Sequence, residues 1–145
     1  MSQVSAQFGF SLHDAARLLR RDYDRRARGM GLSRSRWQIL WHLSKHEGTH
    51  QAGLAEVLDV APISLARQLD RLQDEGLIER RPDASDRRCY RLFLTAQAVP
   101  MLELMRELGA QTRAVALAGF SDTEIEQLVE MLTRVRTNLS AQSDA

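Results

Sequence analysis

The stretch Pro62-Ile63-Ser64-Leu65-Ala66-Arg67-Gln68-Leu69-Asp70-Arg71-Leu72, followed by Gly76, decides the fold. Pro62 has a fixed φ and no N–H, which suits the first turn of a helix. The spacing predicts a helix to Glu75, with Gly76 placed to turn left-handed just past its end. At about 100° per residue with Leu65 at zero, Leu69 falls at about 40° and Leu72 at about 340°, whereas Arg67, Arg71 and Ser64 fall at about 200°, 240° and 260° and Gln68 at about 300°. One face is leucine, and the opposite face is arginine and serine.

Working outward, the residues before Pro62 read as a second, shorter helix over His50 to Leu58, capped by Thr49 and presenting Ala52, Leu54, Ala55 and Leu58 to a core. Asp59-Val60-Ala61 is the brief connection. After Gly76 the period changes. Leu77 to Arg81 reads as a strand, Pro82-Asp83-Ala84-Ser85-Asp86 as a turn-rich loop, and Arg88 to Leu94 as a returning strand with Tyr90, Leu92 and Leu94 on one side. Two helices joined by a tight turn and followed at once by a hairpin form a helix-turn-helix with a wing. A helix of this kind fits the major groove of duplex DNA. There Arg67 and Arg71 can bond guanine, Ser64 base or phosphate, and Gln68 adenine or backbone. Asp86-Arg87-Arg88 lies where a hairpin tip can enter the adjacent minor groove, whose negative potential attracts arginine, with Asp86 orienting an arginine fork. In isolation, the polar stripe would pass for a solvated helix face and the charged hairpin for a protected sheet edge.

The flanking segments read as helices. Ser11 can cap one carrying Leu12, Ala15, Leu19 and Tyr23, ended by Gly29 and Gly31; Ser33 can cap another carrying Trp37, Ile39, Leu40, Trp41 and Leu43, apolar around much of its circumference and closed by Gly48. Thr95 can cap a long helix with Val99, Leu102, Leu108 and Val115. Ser121-Asp122-Thr123-Glu124 has the spacing of a capping box before a last helix bearing Ile125, Leu128, Leu132, Val135 and Leu139. The predicted class is mainly α with a small β-hairpin wing. Residues 33–94 form the DNA-binding lobe, and 10–30 and 95–141 a helical dimerisation region. The outer helices carry more apolar surface than one small lobe could cover, so a homodimer is expected.

The formal net charge of +1 hides an uneven distribution. Phe10 to Arg91 holds 16 Lys or Arg against 12 Asp or Glu, and Leu92 to Ala145 holds 4 against 7, so the first part is the one that could face a polyanion. Lys45 is the sole lysine; the arginine bias fits either phosphate recognition or the codon composition of the genome. A single cysteine excludes an internal disulfide, and no apolar run reaches membrane-spanning length, so a cytoplasmic protein is expected.

The chain resembles the MarR/SlyA regulators of bacteria across nearly its whole length. The resemblance rests on Gln51-Ala52-Gly53-Leu54-Ala55, on Ser64-Leu65-Ala66-Arg67-Gln68-Leu69-Asp70-Arg71-Leu72, on Gly76-Leu77-Ile78-Glu79-Arg80, and on Asp86-Arg87-Arg88 with Leu94-Thr95, in that order. It implies one MarR-type domain over 1–145 and a dimer held by the terminal helices. The operator would be pseudo-palindromic, with recognition helices in successive major grooves and wings in the flanking minor grooves. By position it makes Ser64, Arg67 and Gln68 base or phosphate readers, Arg87 the wing-tip residue, and Asp86 and Arg88 its supports. In SlyA-like members a proline often directly precedes the residue corresponding to Ser64. Here Ile63 holds that place and Pro62 stands one earlier, a change expected to alter the operator preferred.

Other signals are weaker. His13, Arg17, Trp37 and Trp41 could line a pocket for a small aromatic effector, although tryptophans on a helix are more often core. His42, His46 and His50 recur every fourth residue, but Gly48 and Thr49 interrupt the helix before His50, so no metal site or other cofactor is assigned. Neighbouring guanidinium groups could lower the pKa of Cys89 and make it redox-active, although a lone strand cysteine is more often packed. The sequence lacks a phosphate-cradling glycine loop, a zinc-protease pair and a nucleophile motif with a convincing base, so an enzyme is not expected. Alternatives to a DNA reader are a winged-helix protein-interaction module without DNA affinity, or a metal- or oxidant-sensing regulator.

Overall fold

The computed structural model describes residues 2–143. The chain runs α1 (Gln3–Arg28), α2 (Arg34–Lys45), β1 (Thr49–His50), α3 (Gln51–Leu58), α4 (Pro62–Asp74), β2 (Ile78–Pro82), β3 (Tyr90–Leu94), a 3-10 turn (Ala96–Ala98), α5 (Val99–Ala116) and α6 (Asp122–Ser143). It divides into two compact units, the first ending at Thr112 and the second beginning at Arg113. The mainly helical class with a small antiparallel sheet is the one the sequence predicts.

In the first unit the core is leucine-rich. Leu32, Ile39, Leu40, Leu43, Leu54, Leu65, Leu69, Leu72 and Leu92 are each under 2% or at most 2% exposed, drawn from α2, α3, α4, β3 and the segment after α1. The leucine stripe of α4 is therefore its buried face, as the angular pattern requires. Gly76 closes that helix at φ +76°, the left-handed conformation expected of it. The sheet order is β1-β3-β2, which leaves β2 on an edge. That position explains why Pro82 can end β2 opposite Tyr90, since an edge strand tolerates a missing N–H.

Several boundaries differ from expectation. Helix α1 starts at Gln3 with Ser2 as its cap, well before Ser11. No proline interrupts residues 3–11, and the single Gly9 costs only about 1 kcal/mol of helix propensity. Thr49 does not cap α3. Thr49 and His50 form a two-residue strand paired with Leu92 and Arg91, and His50 takes the cap position without a side-chain bond. The hairpin strands begin later than read, at Ile78 and Tyr90, so Arg88 and Cys89 belong to the loop; Tyr90 is exposed while Leu92 is buried. Thr95 takes the cap position of the 3-10 turn and not of α5, and its hydroxyl donates to Gly76 O at 2.5 Å in place of a side-chain cap bond; α5 begins only after that turn.

Polar contacts fix α1 against its neighbours. The Asp24 side chain, nearly enclosed, accepts hydrogen bonds from Trp37 Nε1 at 2.7 Å and Arg34 Nε at 2.7 Å. Tyr23 packs edge-on to Trp37 with ring centroids 4.6 Å apart and donates to Met105 O of α5 at 3.3 Å. Asp22 accepts from Arg26 Nε and from Thr112 Oγ1, each at 2.8 Å; the Arg26 bond first and the Thr112 bond second hold its carboxyl below the ordinary range. In the second unit, Ser121 and Glu124 form the predicted capping box, with Glu124 N donating to Ser121 Oγ at 3.2 Å and Ser121 N to Glu124 Oε1 at 3.3 Å.

The Asp24 cluster gives a stability prediction. Asp24→Ala strips the acceptor from the Trp37 indole and should cost about 1–3 kcal/mol in urea denaturation, with Asp24→Asn costing less because it keeps an acceptor. Equal losses in both variants would contradict the assigned role.

Candidate nucleic-acid interface

Asp59 joins α3 to α4. It adopts φ 53°, ψ 48°, the left-handed region open to aspartate, and its N–H returns to Glu56 O at 3.1 Å. Val60 N closes on Ala55 O at 3.1 Å, so the chain reverses within three residues and α4 starts at Pro62. Its cap residue, Ala61, brings no side-chain oxygen to the first turn. That leaves backbone amides there for an outside acceptor such as phosphate.

With Leu65, Leu69 and Leu72 turned inward, Ser64, Arg67 and Arg71 are exposed and Gln68 is half-buried. Pro62 and Ile63 are exposed too, at the helix entry. Arg67, Arg71 and Arg87 enter none of the ion pairs found among the described residues. Their guanidinium groups, five donors each in a planar fork, face solvent without a carboxylate.

The hairpin loop is ordered by two aspartates. Asp86 accepts from Arg88 Nε at 3.2 Å and from the Arg88 backbone N at 3.0 Å; the side-chain bond first and the backbone bond second hold its carboxyl below the ordinary range. It orients Arg88, leaving Arg87 unconstrained. Asp83, only 5% exposed, is the larger hub. Its carboxylate accepts from Ser85 Oγ at 2.6 Å, Ser85 N at 2.8 Å and Arg91 Nε at 2.9 Å, and lies 2.5 Å from His50 Nε2. The Ser85 bonds foremost, then His50 and Arg91, hold its pKa far below the ordinary carboxylate range. Asp83 thereby ties the loop to β1 and β3. Arg80 braces the other side: from β2 it donates to Asp70 Oδ1 at 2.7 Å, Gln73 Oε1 at 3.0 Å, Ala66 O at 3.1 Å and Gln51 Oε1 at 3.2 Å. Neither Asp83 nor Arg80 was singled out from sequence. Asp83-Ala84-Ser85 carries the signature of an aspartate bonding the backbone two residues on and could have been found. Arg80 gave no local signal.

Other expectations change. Cys89 is exposed, and its thiol pKa is raised, by desolvation first and then by Asp86, to which Sγ donates at 3.6 Å. The nearer carboxylate outweighs the flanking guanidinium, so the expected activation is reversed. Trp37 is committed to Asp24, whereas Trp41 is 54% exposed and outside the core expected of it. His13 is exposed, Arg17 is paired with Asp14 at 2.6 Å, and no hydrogen bond joins any of these four residues to another. His42 on α2 and His46 just past its end pack with ring centroids 4.9 Å apart and planes tilted by 40°, but His50 lies on β1 against Asp83, so the three do not share a helix.

A helix-turn-helix with its second helix exposed and a braced hairpin behind it is a winged helix-turn-helix, the fold of a class of transcriptional regulators. The family model for the MarR family matches residues 32–90. The transcriptional regulator PA3341 is 34% identical, superposes with a TM-score of 0.79, and the alignment covers 92% of this chain and 98% of that one. The transcriptional regulator SlyA is 27% identical with a TM-score of 0.72, covering 97% and 96%. MarR from E. coli in its apo form shares the fold at 23% identity and a TM-score of 0.75, covering 88% and 94%. The chain belongs to the MarR family.

Asp83 supplies a test by pH. Its folded-state pKa is depressed, so the stabilisation is complete above the unfolded value of about 3.9 and is lost as pH falls through the folded value. The stability gap between wild type and Asp83→Asn in urea denaturation is expected to be full at neutral pH and to narrow below about pH 4. A gap that widens on acidification would refute the ionised hub.

Proposed function

We propose that the protein is a sequence-specific, double-stranded DNA-binding transcriptional regulator that acts as a homodimer on a pseudo-palindromic operator. The observation that carries this reading is the pair of unpartnered arginines, Arg67 and Arg71, beside Ser64 on the solvent face of a helix whose opposite face is buried leucine. In this reading α4 lies in the major groove, with Arg67 and Arg71 donating to base edges or phosphates and Ser64 and Gln68 completing the contact. Arg87 enters the minor groove from the loop that Asp83 and Asp86 shape, and Arg88, held by Asp86, supports it. Residues 33–94 are the reading lobe; 10–30 and 95–141 supply the dimerising helices.

Unsatisfied apolar surface supports self-association. Phe8, Leu12, Leu18 and Leu19 on α1 are exposed, as are Val129, Met131, Leu132 and Leu139 on α6. A soluble chain covers such surface with another. Sedimentation at micromolar concentration is expected to show a dimer, and Phe8→Asp with Leu12→Asp to weaken it. A stable wild-type monomer would rule the homodimer out.

DNA binding is tested by titrating the full chain with duplexes selected from a random pool, at two salt concentrations. Affinity should fall steeply with salt. Arg67→Ala should cost about 1–3 kcal/mol and relax preference at one position if it reads a base. Arg71→Ala should weaken all duplexes and lower the salt slope by about one if it meets phosphate. Absence of salt-sensitive binding to any duplex would overturn the function and favour a protein-interaction module.

A further inference from the structure

We propose that Ile63 selects a thymine in each half-site by packing on its 5-methyl group. The inference rests on the DNA-reading role of α4 and deepens it. Ile63 is 71% exposed, although every core-directed apolar residue of the same helix, Leu65, Leu69 and Leu72, is at most 2% exposed. On the helical wheel it falls at about 160° from Leu65, next to Arg67 at about 200°, and the two are one turn apart on the same side. An isoleucine there contributes nothing to the core.

The helix entry is hydrocarbon throughout. Ala61 at the cap, Pro62 at the first position and Ile63 are all exposed, and none carries a polar side-chain atom; the first one is Ser64. A cap position ordinarily favours Ser, Thr, Asp or Asn. Among the groups that base pairs present in the major groove, only the 5-methyl of thymine is apolar. Against a cytosine amino group or a guanine carbonyl, the Ile63 side chain would strip water without replacing the hydrogen bond, so the same contact that favours thymine disfavours the alternatives. Isoleucine also holds one dominant χ1 rotamer in a helix, which limits the entropy lost on contact.

Ile63 and Arg67 are separated by a rise of about 6 Å, and stacked base pairs repeat about every 3.4 Å; with α4 running along the groove, the thymine is expected one or two base pairs from the position that Arg67 meets.

The experiment is a methyl scan. The duplex bound best in selection with the full wild-type chain is remade with uracil in place of each thymine in turn, which removes only the methyl group. Wild type should lose about three- to tenfold in affinity at one thymine per half-site, the size of one buried methyl contact. Ile63→Ala should be insensitive at that thymine and accept cytosine there, with an unchanged salt slope because no phosphate contact is lost. Restoring the methyl as 5-methylcytosine should favour wild type over Ile63→Ala at the same position. The variant alters an exposed side chain and introduces a better helix former, so it folds. Sensitivity below twofold throughout the scan, or equal sensitivity in Ile63→Ala, overturns the assignment while leaving DNA reading intact. Selection that enriches no duplex overturns both.

Discussion

Burial of Leu65, Leu69 and Leu72 is the constraint on which the rest depends. These side chains occupy one side of α4 and meet leucines from α2, α3 and β3 in a single core. Each fully buried leucine is worth about 1.5–3 kcal/mol relative to exposure, so rotating α4 about its axis would forfeit several kcal/mol. The helix has one allowed orientation. Arg67, Arg71 and Ser64 are turned outward by the same packing that holds the leucines inward, without any contact of their own to enforce it.

Polar bonds then fix what packing leaves free. Arg80 reaches across from the edge strand to the last turns of α4 and also to Gln51 at the start of α3, so one guanidinium spans hairpin and both helices of the helix-turn-helix. Asp83 performs the corresponding task at the far end of β2, gathering Ser85, His50 and Arg91 around one carboxylate. Two-stranded hairpins are marginal alone. This one is held at base and tip by charge-assisted bonds, and β1 extends it to a third strand.

Much of this was legible in the sequence because period and register are local. The α4 stripe, Pro62 at its start, Gly76 past its end, and the Ser121–Glu124 box each depend on residues within a few positions. The failures share a different cause. A two-residue strand such as Thr49–His50 has no period to read, and it exists because Leu92 and Arg91, more than forty residues later, offer backbone partners. The role of Arg80 likewise depends on residues brought near only by folding. The surroundings of Cys89 are also set by the fold: the arginine beside it in sequence counts for less than the Asp86 carboxylate that the turn brings to its sulfur. Trp41 reads as core because α2 is apolar on most sides, yet the buried residues of that helix are Ile39, Leu40 and Leu43, and Trp41 falls on the exposed side.

The unpaired state of the outer face of α4 bears on how such a chain can diverge. Since Ser64, Arg67 and Arg71 make no ion pair among the described residues, and Ile63 lies outside the buried core, exchanging them would, in the proposed reading, change what is recognised at little thermodynamic cost to the fold. The leucines and Arg80 carry the opposite burden: altering them damages the scaffold before it alters any preference. In the proposed reading, stability and recognition along α4 are thus inherited on separate positions, adjacent or two apart in sequence but on opposite faces of the helix. A duplicated copy of this chain could acquire a new target through two or three substitutions while retaining its architecture.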